Sequence, residues 1–227
     1  VADLSAKAVG EENVYVATDD KRIGDEVKGY GYNVIYTSDS CLTGTDRVAE
    51  ASLEIDADVI VNVQGDEALL NPNDIIKAVE CKLDNKNCVV TCMAKLTSSE
   101  KPTDLKTCKV VTNLDGDLMY VSRNAIPSSK NGIVKSAHKQ VCVYAFDKKQ
   151  LKEYYGVGKK NGKTPVESSE DIEIIRFLEM GIKVKMVEVE GGTLAVDYPE
   201  DVKMVENIFR KQQLYSKLDT KAKSGIR

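Results

Sequence analysis

Residues 59–67, Val-Ile-Val-Asn-Val-Gln-Gly-Asp-Glu, decide the fold. The run of Val and Ile at its start predicts a strand buried on both faces, the usual centre of a parallel sheet. After Gln64, Gly65 permits a turn or the close approach of a ligand. Asp66 and Glu67 then follow the carboxyl end of the strand, the edge where open α/β sheets bind ligands and where a carboxylate can hold Mg²⁺ beside a phosphate. An ordinary polar exit from a strand is the alternative interpretation.

The composition limits the class of protein. The chain has 227 residues, 42% of them hydrophobic and 30% charged, which is typical of a soluble protein with a sizeable core. A net charge of −4 argues against a nucleic-acid-binding surface. The sequence shows neither an apolar run long enough to cross a membrane nor a signal peptide. Six cysteines without a CxxC pair predict reduced thiols and a cytoplasmic protein.

Strands and helices alternate along the chain with short connections. This order predicts an α/β fold with a mostly parallel, twisted sheet. The segments 109–113 and 118–122 interrupt the alternation, because they are predicted to pair across a turn centred on Asp-Gly. With the strand at 139–146 they form a smaller β-rich lobe, at about 109–146. We expect one domain over residues 1–213 and a frayed, polar tail over 214–227.

Polar motifs also lie at the ends of other predicted helices and strands. Thr43-Gly44-Thr45-Asp46-Arg47 precedes a helix predicted at 48–53. Thr45 or Asp46 could cap that helix, or the segment could present N–H groups to a ligand.

A second polar motif opens the helix predicted from 164 to about 180. It places Glu167, Glu170, Glu173 and Arg176 on one face, and for Glu170 and Glu173 we expect a solvated face with ion pairs. Asp197 follows a short apolar run and could be a simple helix cap.

Taken in order, these motifs resemble those of the CMP-Kdo synthetases, the 3-deoxy-manno-octulosonate cytidylyltransferases. The matching segments are Ala-Thr-Asp at 17–19, Thr-Gly-Thr-Asp-Arg at 43–47, Val-Gln-Gly-Asp-Glu at 63–67, Tyr-Val-Ser-Arg at 120–123, Thr-Pro-Val-Glu at 164–167 and Val-Asp-Tyr-Pro-Glu-Asp at 196–201. The resemblance covers nearly all of residues 14–205. It implies an α/β fold of the nucleotide-diphospho-sugar transferase type.

The resemblance also implies a reaction. CTP and a 2-keto-3-deoxy sugar acid, Kdo or a Kdo-like acid, would give the CMP-sugar and pyrophosphate, for lipopolysaccharide or capsule synthesis. The enzyme would use Mg²⁺ and act as a homodimer, with the loop at 128–137 as a flap or a dimer contact. The implied site residues are Asp66 and Asp197 for the metal and, with Arg123, for catalysis; Thr43, Gly44, Arg47 and Gln64 for cytidine; and Arg123, Gln140 and Glu167 for the sugar acid. Without the resemblance, Arg123 would be read as a surface ion-pair partner.

The sequence departs from the family pattern in three places. The family's triphosphate loop, Arg-x-x-Ser-x-Arg-x-Pro-Gly-Lys, has no counterpart, and we expect it upstream of Val1. Gln140 stands where the family has His, and Ile174 stands where it has Gln. Ile174 would remove the donors and acceptors of Gln and add a bulky wall to the substrate pocket. The two changes predict reduced use of Kdo and preference for an acid with a less polar group, or a different stereochemistry, where Kdo presents a hydroxyl to that wall. A metal-dependent glycosyltransferase and a non-catalytic nucleotide-binding paralogue are the alternatives.

Overall fold

The structure is a computed structural model that describes residues 1–131, 137–191, 195–196 and 198–224, with side chains as far as residue 211. The helices are α1 (Ala2–Val9), α2 (Lys21–Gly29), α3 (Gly44–Ala51), α4 (Pro72–Asp84), α5 (Lys148–Asn161), α6 (Pro165–Glu170), α7 (Ile175–Glu179) and α8 (Pro199–Ser224). The strands are β1 (Tyr15–Thr18), β2 (Asn33–Tyr36), β3 (Ile60–Val63), β4 (Val89–Lys95), β5 (Lys109–Thr112), β6 (Leu118–Ser122), β7 (His138–Phe146) and β8 (Val184–Glu188).

The predicted α/β class is confirmed, but the pairing of the strands is mixed. Strands β1 and β2 form a parallel pair, and the larger sheet has the order β6-β5-β7-β4-β8, with β3 also paired to β7. Among the described pairs of this larger sheet, only β4 and β8 are parallel. The stretch at 59–63 is therefore not the centre of a parallel sheet. The chain returns from the β5–β6 hairpin in the opposite direction, so β7 lies antiparallel to β3, β4 and β5.

Strand β7 is long enough to hold two strands along one edge. The β3 strand pairs with its carboxyl half, from Ile60 opposite Phe146 to Val63 opposite Val143. The β5 strand pairs with its amino end at His138 and Lys139, while β4 runs along the other edge. Because β3 and β7 are antiparallel, the carboxyl end of β3 points at the gap between β3 and β5. The polar residues that follow β3 enter the fold at this gap.

Two apolar layers cover the faces of the larger sheet. On one face, α4 contributes Ile75 and Ala78, which belong to the same buried cluster as the β7 residues Val141 and Val143. The other face packs against α3, α5 and α7. There the rings of Phe146 and Phe177 stack at 5.4 Å, and those of Tyr154 and Phe177 at 4.6 Å. Each fully buried aromatic ring contributes about 1.5–3 kcal/mol of hydrophobic stabilisation.

The helix predicted from 164 to about 180 is broken in two. Helix α6 ends at Glu170, Asp171 adopts a left-handed backbone with φ 52°, and α7 begins at Ile175. At the carboxyl end of the chain, helical backbone continues to Ser224 through the segment where we expected a frayed tail. None of the helices in the described residues combines the length and apolarity that a membrane span requires.

A fully buried arginine joins α3, α6 and α7. Arg176 donates to Asp46 at 2.8 and 3.0 Å and to Glu167 at 2.7 and 2.8 Å, and all three side chains are at most 2% exposed. Its fifth N–H donates to the Tyr154 carbonyl at 3.3 Å. All five guanidinium donors therefore have acceptors, which compensates for the cost of burying the charge. We call Asp46, Arg176 and Glu167 the buried ionic network.

Helix α5 passes so close to the buried ionic network that only glycine fits at position 158. A Cβ atom there would lie 2.5 Å from Arg176 Nη1 and 2.8 Å from Asp46 Oδ1, whereas a Cβ at Gly156 would meet nothing within 4 Å. We therefore expect Gly158→Ala to lower the free energy of unfolding by about 2 kcal/mol, through overpacking. Gly156→Ala, in the same helix, should raise it by about 1 kcal/mol through helix propensity. Urea unfolding of both variants measures the difference, and equal effects would contradict this account.

Candidate active site

Gln64 and Asp66 lie at the carboxyl end of β3, as predicted. The Gln64 side chain donates from Nε2 to Glu173 Oε1 at 2.7 Å. Asp66 is half-buried, and its carbonyl accepts a hydrogen bond of 3.1 Å from the Val196 N–H. Asp197 lies outside the described residues, and within them no three His, Cys, Asp or Glu side chains converge as metal ligands. The convergence of Asp66 and Asp197 stays a prediction.

The motif Thr43–Arg47 starts α3 four residues earlier than predicted. Thr43, not Thr45 or Asp46, is the N-cap, and its Oγ1 accepts from the Asp46 N–H at 3.1 Å. The next residue, Gly44, is exposed. The Thr45 N–H donates to Glu173 Oε2 at 2.9 Å. Glu173 therefore links the start of α3 to the amide of Gln64, and a Cβ at Gly44 would lie 3.7 Å from Glu173 Oε2.

Arg47 ties α3 to the ends of β1 and β2. Its Nη2 lies 3.0 Å from Asp19 Oδ1, in the residue that ends the Ala-Thr-Asp motif. Its Nη1 donates to Thr37 Oγ1 at 2.6 Å. The structure thus brings together the motifs at 17–19, 43–47 and 63–67 through direct contacts or through Glu173.

Sequence reasoning missed Glu173. It expected a solvated face for Glu170 and Glu173, but both carboxylates accept hydrogen bonds from distant elements. Burial raises the pKa of Glu173, and the hydrogen bonds from Thr45 and Gln64 oppose that shift. The i, i+3 spacing of the acidic residues was the available signal, and it was misread because a break after Glu170 turns the two side chains toward different neighbours.

Replacing Glu173 with Gln is expected to lower the free energy of unfolding by about 1–3 kcal/mol, because its NH₂ would face the Thr45 or Gln64 donor. The loss should shrink as the pH rises above the unfolded-state pKa of glutamate, about 4.3, toward the higher native pKa. Burial holds the native pKa of Glu173 above its unfolded value, so the native state binds the proton more tightly and wild-type stability falls as pH rises through that interval. The Gln variant lacks this component. Urea unfolding across this pH interval measures the difference in stability between the wild type and the Gln variant. A difference that grows as the pH rises would contradict the prediction.

The predicted sugar-acid residues lie on different elements. Gln140 is half-buried on β7, beside the gap between β3 and β5, and its Nε2 lies 3.4 Å from the Tyr144 hydroxyl. Ile174 is 1% exposed and packs in the hydrophobic core with Phe146 and Phe177. The prediction that Ile174 forms a wall of the substrate pocket is therefore wrong, because the break after α6 turns this residue inward.

Arg123 follows β6, and its side chain donates hydrogen bonds to the connection between α6 and α7. Its Nε donates to the Glu170 carbonyl at 2.6 Å, its Nη2 to the Asp171 carbonyl at 3.0 Å and its Nη1 to the Leu105 carbonyl at 3.2 Å. These contacts use three of the five N–H donors of a guanidinium. The surface ion pair considered for Arg123 is absent from the described contacts, which are to backbone carbonyls.

Glu167 has a structural role. Its carboxylate is fully buried, binds Arg176 and accepts from the Thr164 N–H at 2.9 Å, which completes a capping box at the start of α6. A carboxylate with these partners has no exposed surface to offer a substrate. The sugar-acid contact predicted for Glu167 is not supported by this geometry.

Comparison with known proteins agrees with the arrangement of the motifs. The sequence profile of the cytidylyltransferase family matches residues 4–186. The 3-deoxy-manno-octulosonate cytidylyltransferase, mitochondrial, of Arabidopsis thaliana is 35% identical over 93% of this chain and 73% of its own length. The 3-deoxy-manno-octulosonate cytidylyltransferase 2 of Hydrogenovibrio crunogenus is 35% identical over 91% of this chain and 84% of its own length.

A solved structure gives the same result for the fold. It is described as a CMP:2-keto-3-deoxy-manno-octonic acid synthetase complexed with CTP, and it aligns with a TM-score of 0.84 at 29% identity. The alignment covers 93% of this chain and 86% of that one, and it confirms a fold of the nucleotide-diphospho-sugar transferase type. The chain therefore belongs to the cytidylyltransferase family and, within it, is a relative of the 3-deoxy-manno-octulosonate cytidylyltransferases.

Proposed function

We propose that this protein transfers CMP from CTP to a 2-keto-3-deoxy sugar acid, Kdo or a close analogue, and releases pyrophosphate. The observation that carries the proposal is the junction at Glu173, which joins the start of α3 to the amide of Gln64 at 2.9 and 2.7 Å. It assembles two of the shared motifs at one edge of the sheet. The relative with a TM-score of 0.84 was solved with CTP bound.

The cytidine half of the site would be built from Thr43, Gly44, Arg47 and Gln64. Glu173 holds the Gln64 amide through its Nε2, so that the Oε1 acceptor of the same amide can receive the amino group of cytosine. Exposed Gly44 at the first position of α3 allows a nucleotide to approach the backbone closely. Arg47, held by Asp19 and Thr37, fixes the other end of this helical turn.

The sugar half would be built from Arg123 and Gln140. The two N–H donors of Arg123 that its carbonyl contacts do not use can bind the carboxylate of the sugar acid. The Gln140 amide can bind a sugar hydroxyl beside the gap in the sheet. Held in this way, the anomeric hydroxyl attacks the α-phosphorus of CTP, a P–O bond forms to the sugar, and the bond to pyrophosphate breaks. Positioning and charge neutralisation account for most of the rate in such transfers.

Asp66 and Asp197 would hold Mg²⁺. Carboxylates at the carboxyl end of a strand are the hard oxygen donors that this ion prefers, and the Val196 N–H, one residue before Asp197 in the sequence, reaches the Asp66 carbonyl. When bound, the ion neutralises phosphate charge and favours ionisation of the attacking hydroxyl.

The test is a screen of CTP with Kdo and related sugar acids, scored by pyrophosphate release with Mg²⁺ present. Release that depends on a sugar acid, with a CMP-sugar as the second product, supports the proposal. Consumption of a nucleotide-sugar without pyrophosphate would instead indicate a glycosyltransferase. Binding of CTP without turnover on any acid would indicate a nucleotide-binding paralogue.

We also propose that the enzyme is a cytoplasmic homodimer. The family resemblance supports the dimer, as do exposed apolar side chains such as Leu114 and Met119 on the β5–β6 hairpin. Residues 132–136 of the predicted contact loop lie outside the described residues. Light scattering at micromolar concentration should give twice the 25.0 kDa of one chain, and a species of 25.0 kDa alone would contradict the dimer.

A further inference from the structure

The end of β6 is held by a single carboxylate from the end of α6. Glu170 accepts from Ser122 Oγ at 2.7 Å, from the Tyr120 hydroxyl at 3.1 Å and from the Arg123 N–H at 3.0 Å. These three donors lie within the four-residue segment 120–123. The carboxylate therefore fixes both the backbone of β6 and the point from which the Arg123 side chain leaves it.

The Arg123 side chain returns to the same residue. Its Nε donates to the Glu170 carbonyl and its Nη2 to the Asp171 carbonyl, so that side chain and backbone form a reciprocal clamp. Asp171, the residue after Glu170, has a left-handed backbone conformation. This conformation allows the carbonyls of both residues to reach the Arg123 guanidinium. Lys109 Nζ, fully buried, donates to the Arg123 carbonyl. The backbone N–H, the carbonyl and the guanidinium of Arg123 are all held.

We propose that Glu170 is a positioning residue that sets the direction of the Arg123 guanidinium toward the sugar acid. This inference rests on the proposed function, because it assumes that Arg123 binds the carboxylate of the acid. The bidentate geometry of an Arg–carboxylate pair is demanding, so a guanidinium that is aimed in advance binds with less loss of conformational freedom. Glu170 acts through Arg123 and has no contact with the reacting atoms.

The structure supplies a matched control for Glu170. Glu179, at the end of α7, also accepts three hydrogen bonds: from Thr164 Oγ1, from the Val166 N–H at 3.0 Å and from the Glu167 N–H at 3.1 Å. None of these involves Arg123. Glu170→Gln and Glu179→Gln therefore remove similar contacts from neighbouring elements, and only the first loosens the clamp.

The first experiment compares the steady-state kinetics of the two variants. Glu170→Gln should raise KM for the sugar acid by about tenfold, which corresponds to about 1.4 kcal/mol, while KM for CTP stays within about twofold of wild type. Glu179→Gln should leave both KM values unchanged and lower the melting temperature by a similar amount. Equal KM values for the sugar acid in the two variants would overturn the proposal. If Glu170→Gln fails to fold, Tyr120→Phe removes one of the three donors and should raise KM in the same direction.

A double-mutant cycle tests whether the effect passes through Arg123. In an Arg123→Lys background, Glu170→Gln should change KM for the sugar acid by less than about twofold, because the group that it positions is already lost. Full additivity of the two changes would show that Glu170 acts on the site by another route and would overturn the proposal.

A readout without turnover separates this inference from the proposed function. The Arg123 Nε–H resonance should shift in Glu170→Gln and stay in place in Glu179→Gln. A wild-type protein that uses no sugar acid would refute the proposed function, and the positioning role with it, even if this resonance shows that the clamp exists. If the wild type is active but the Arg123 resonance does not shift in Glu170→Gln, the positioning role alone is refuted.

Discussion

Replacement of Arg176 with alanine should lower the free energy of unfolding by about 3–5 kcal/mol, the largest loss that we expect from one substitution in this chain. Arg176 is fully buried and makes two bidentate contacts, to Asp46 and to Glu167. The variant leaves the carboxylates of Asp46 and Glu167, each at most 2% exposed, in the interior without their cation. Equilibrium urea unfolding, with the slope checked for two-state behaviour, measures the loss.

Arg22 provides the control for this prediction. Its guanidinium also pairs with an aspartate, Asp20, at 2.6 Å, but its side chain is 91% exposed. Solvent screens that pair, so Arg22→Ala should leave the free energy of unfolding nearly unchanged. If Arg176→Ala cost no more than Arg22→Ala, the buried ionic network would not contribute to stability in the way that its geometry indicates.

The second large effect is on activity. Asp66→Asn and Asp197→Asn should each reduce the rate of pyrophosphate release by about 100-fold or more at saturating CTP and sugar acid. An amide binds Mg²⁺ more weakly than a carboxylate and does not neutralise its charge. Both variants should also need more magnesium for half-maximal rate, while their melting temperatures stay close to that of the wild type without the metal.

Asp201→Asn is the control for the loss of a carboxylate in the same region. Asp201 lies in the first turn of α8, and its Oδ2 accepts from the Tyr198 N–H at 2.9 Å. This substitution should weaken a helix cap and leave the magnesium dependence unchanged. Unaltered turnover of the Asp197→Asn variant at limiting magnesium would refute the proposed metal site.

Local pattern predicted the elements that carry the site. The β-branched run located β3 within one residue of its true start. The Asp-Gly turn correctly placed the β5–β6 hairpin, which pairs as predicted. In these cases the residues that determine the structure are neighbours in the chain, so the pattern contains the required information.

Long-range partners explain what the sequence could not show. The helix predicted from 164 to about 180 breaks because Glu170 binds the end of β6, about 50 positions away, and Glu173 binds Thr45, 128 positions away. In the sequence, carboxylates at i, i+3 spacing look the same whether they accept hydrogen bonds from water or from a distant N–H. Strand β7 likewise takes its place between β3 and β4 through contacts that no short window of sequence contains.

The buried ionic network also constrains how this chain can evolve. Asp46, Glu167 and Arg176 could in principle be exchanged for an apolar cluster of similar volume without loss of stability, but every single step toward it strands a charge in the interior. Gly158 adds a fourth dependent position, since its missing side chain makes room for the guanidinium. Across divergent relatives, these four positions should covary as a unit, whereas an exposed pair such as Lys21 and Asp25 can drift one residue at a time.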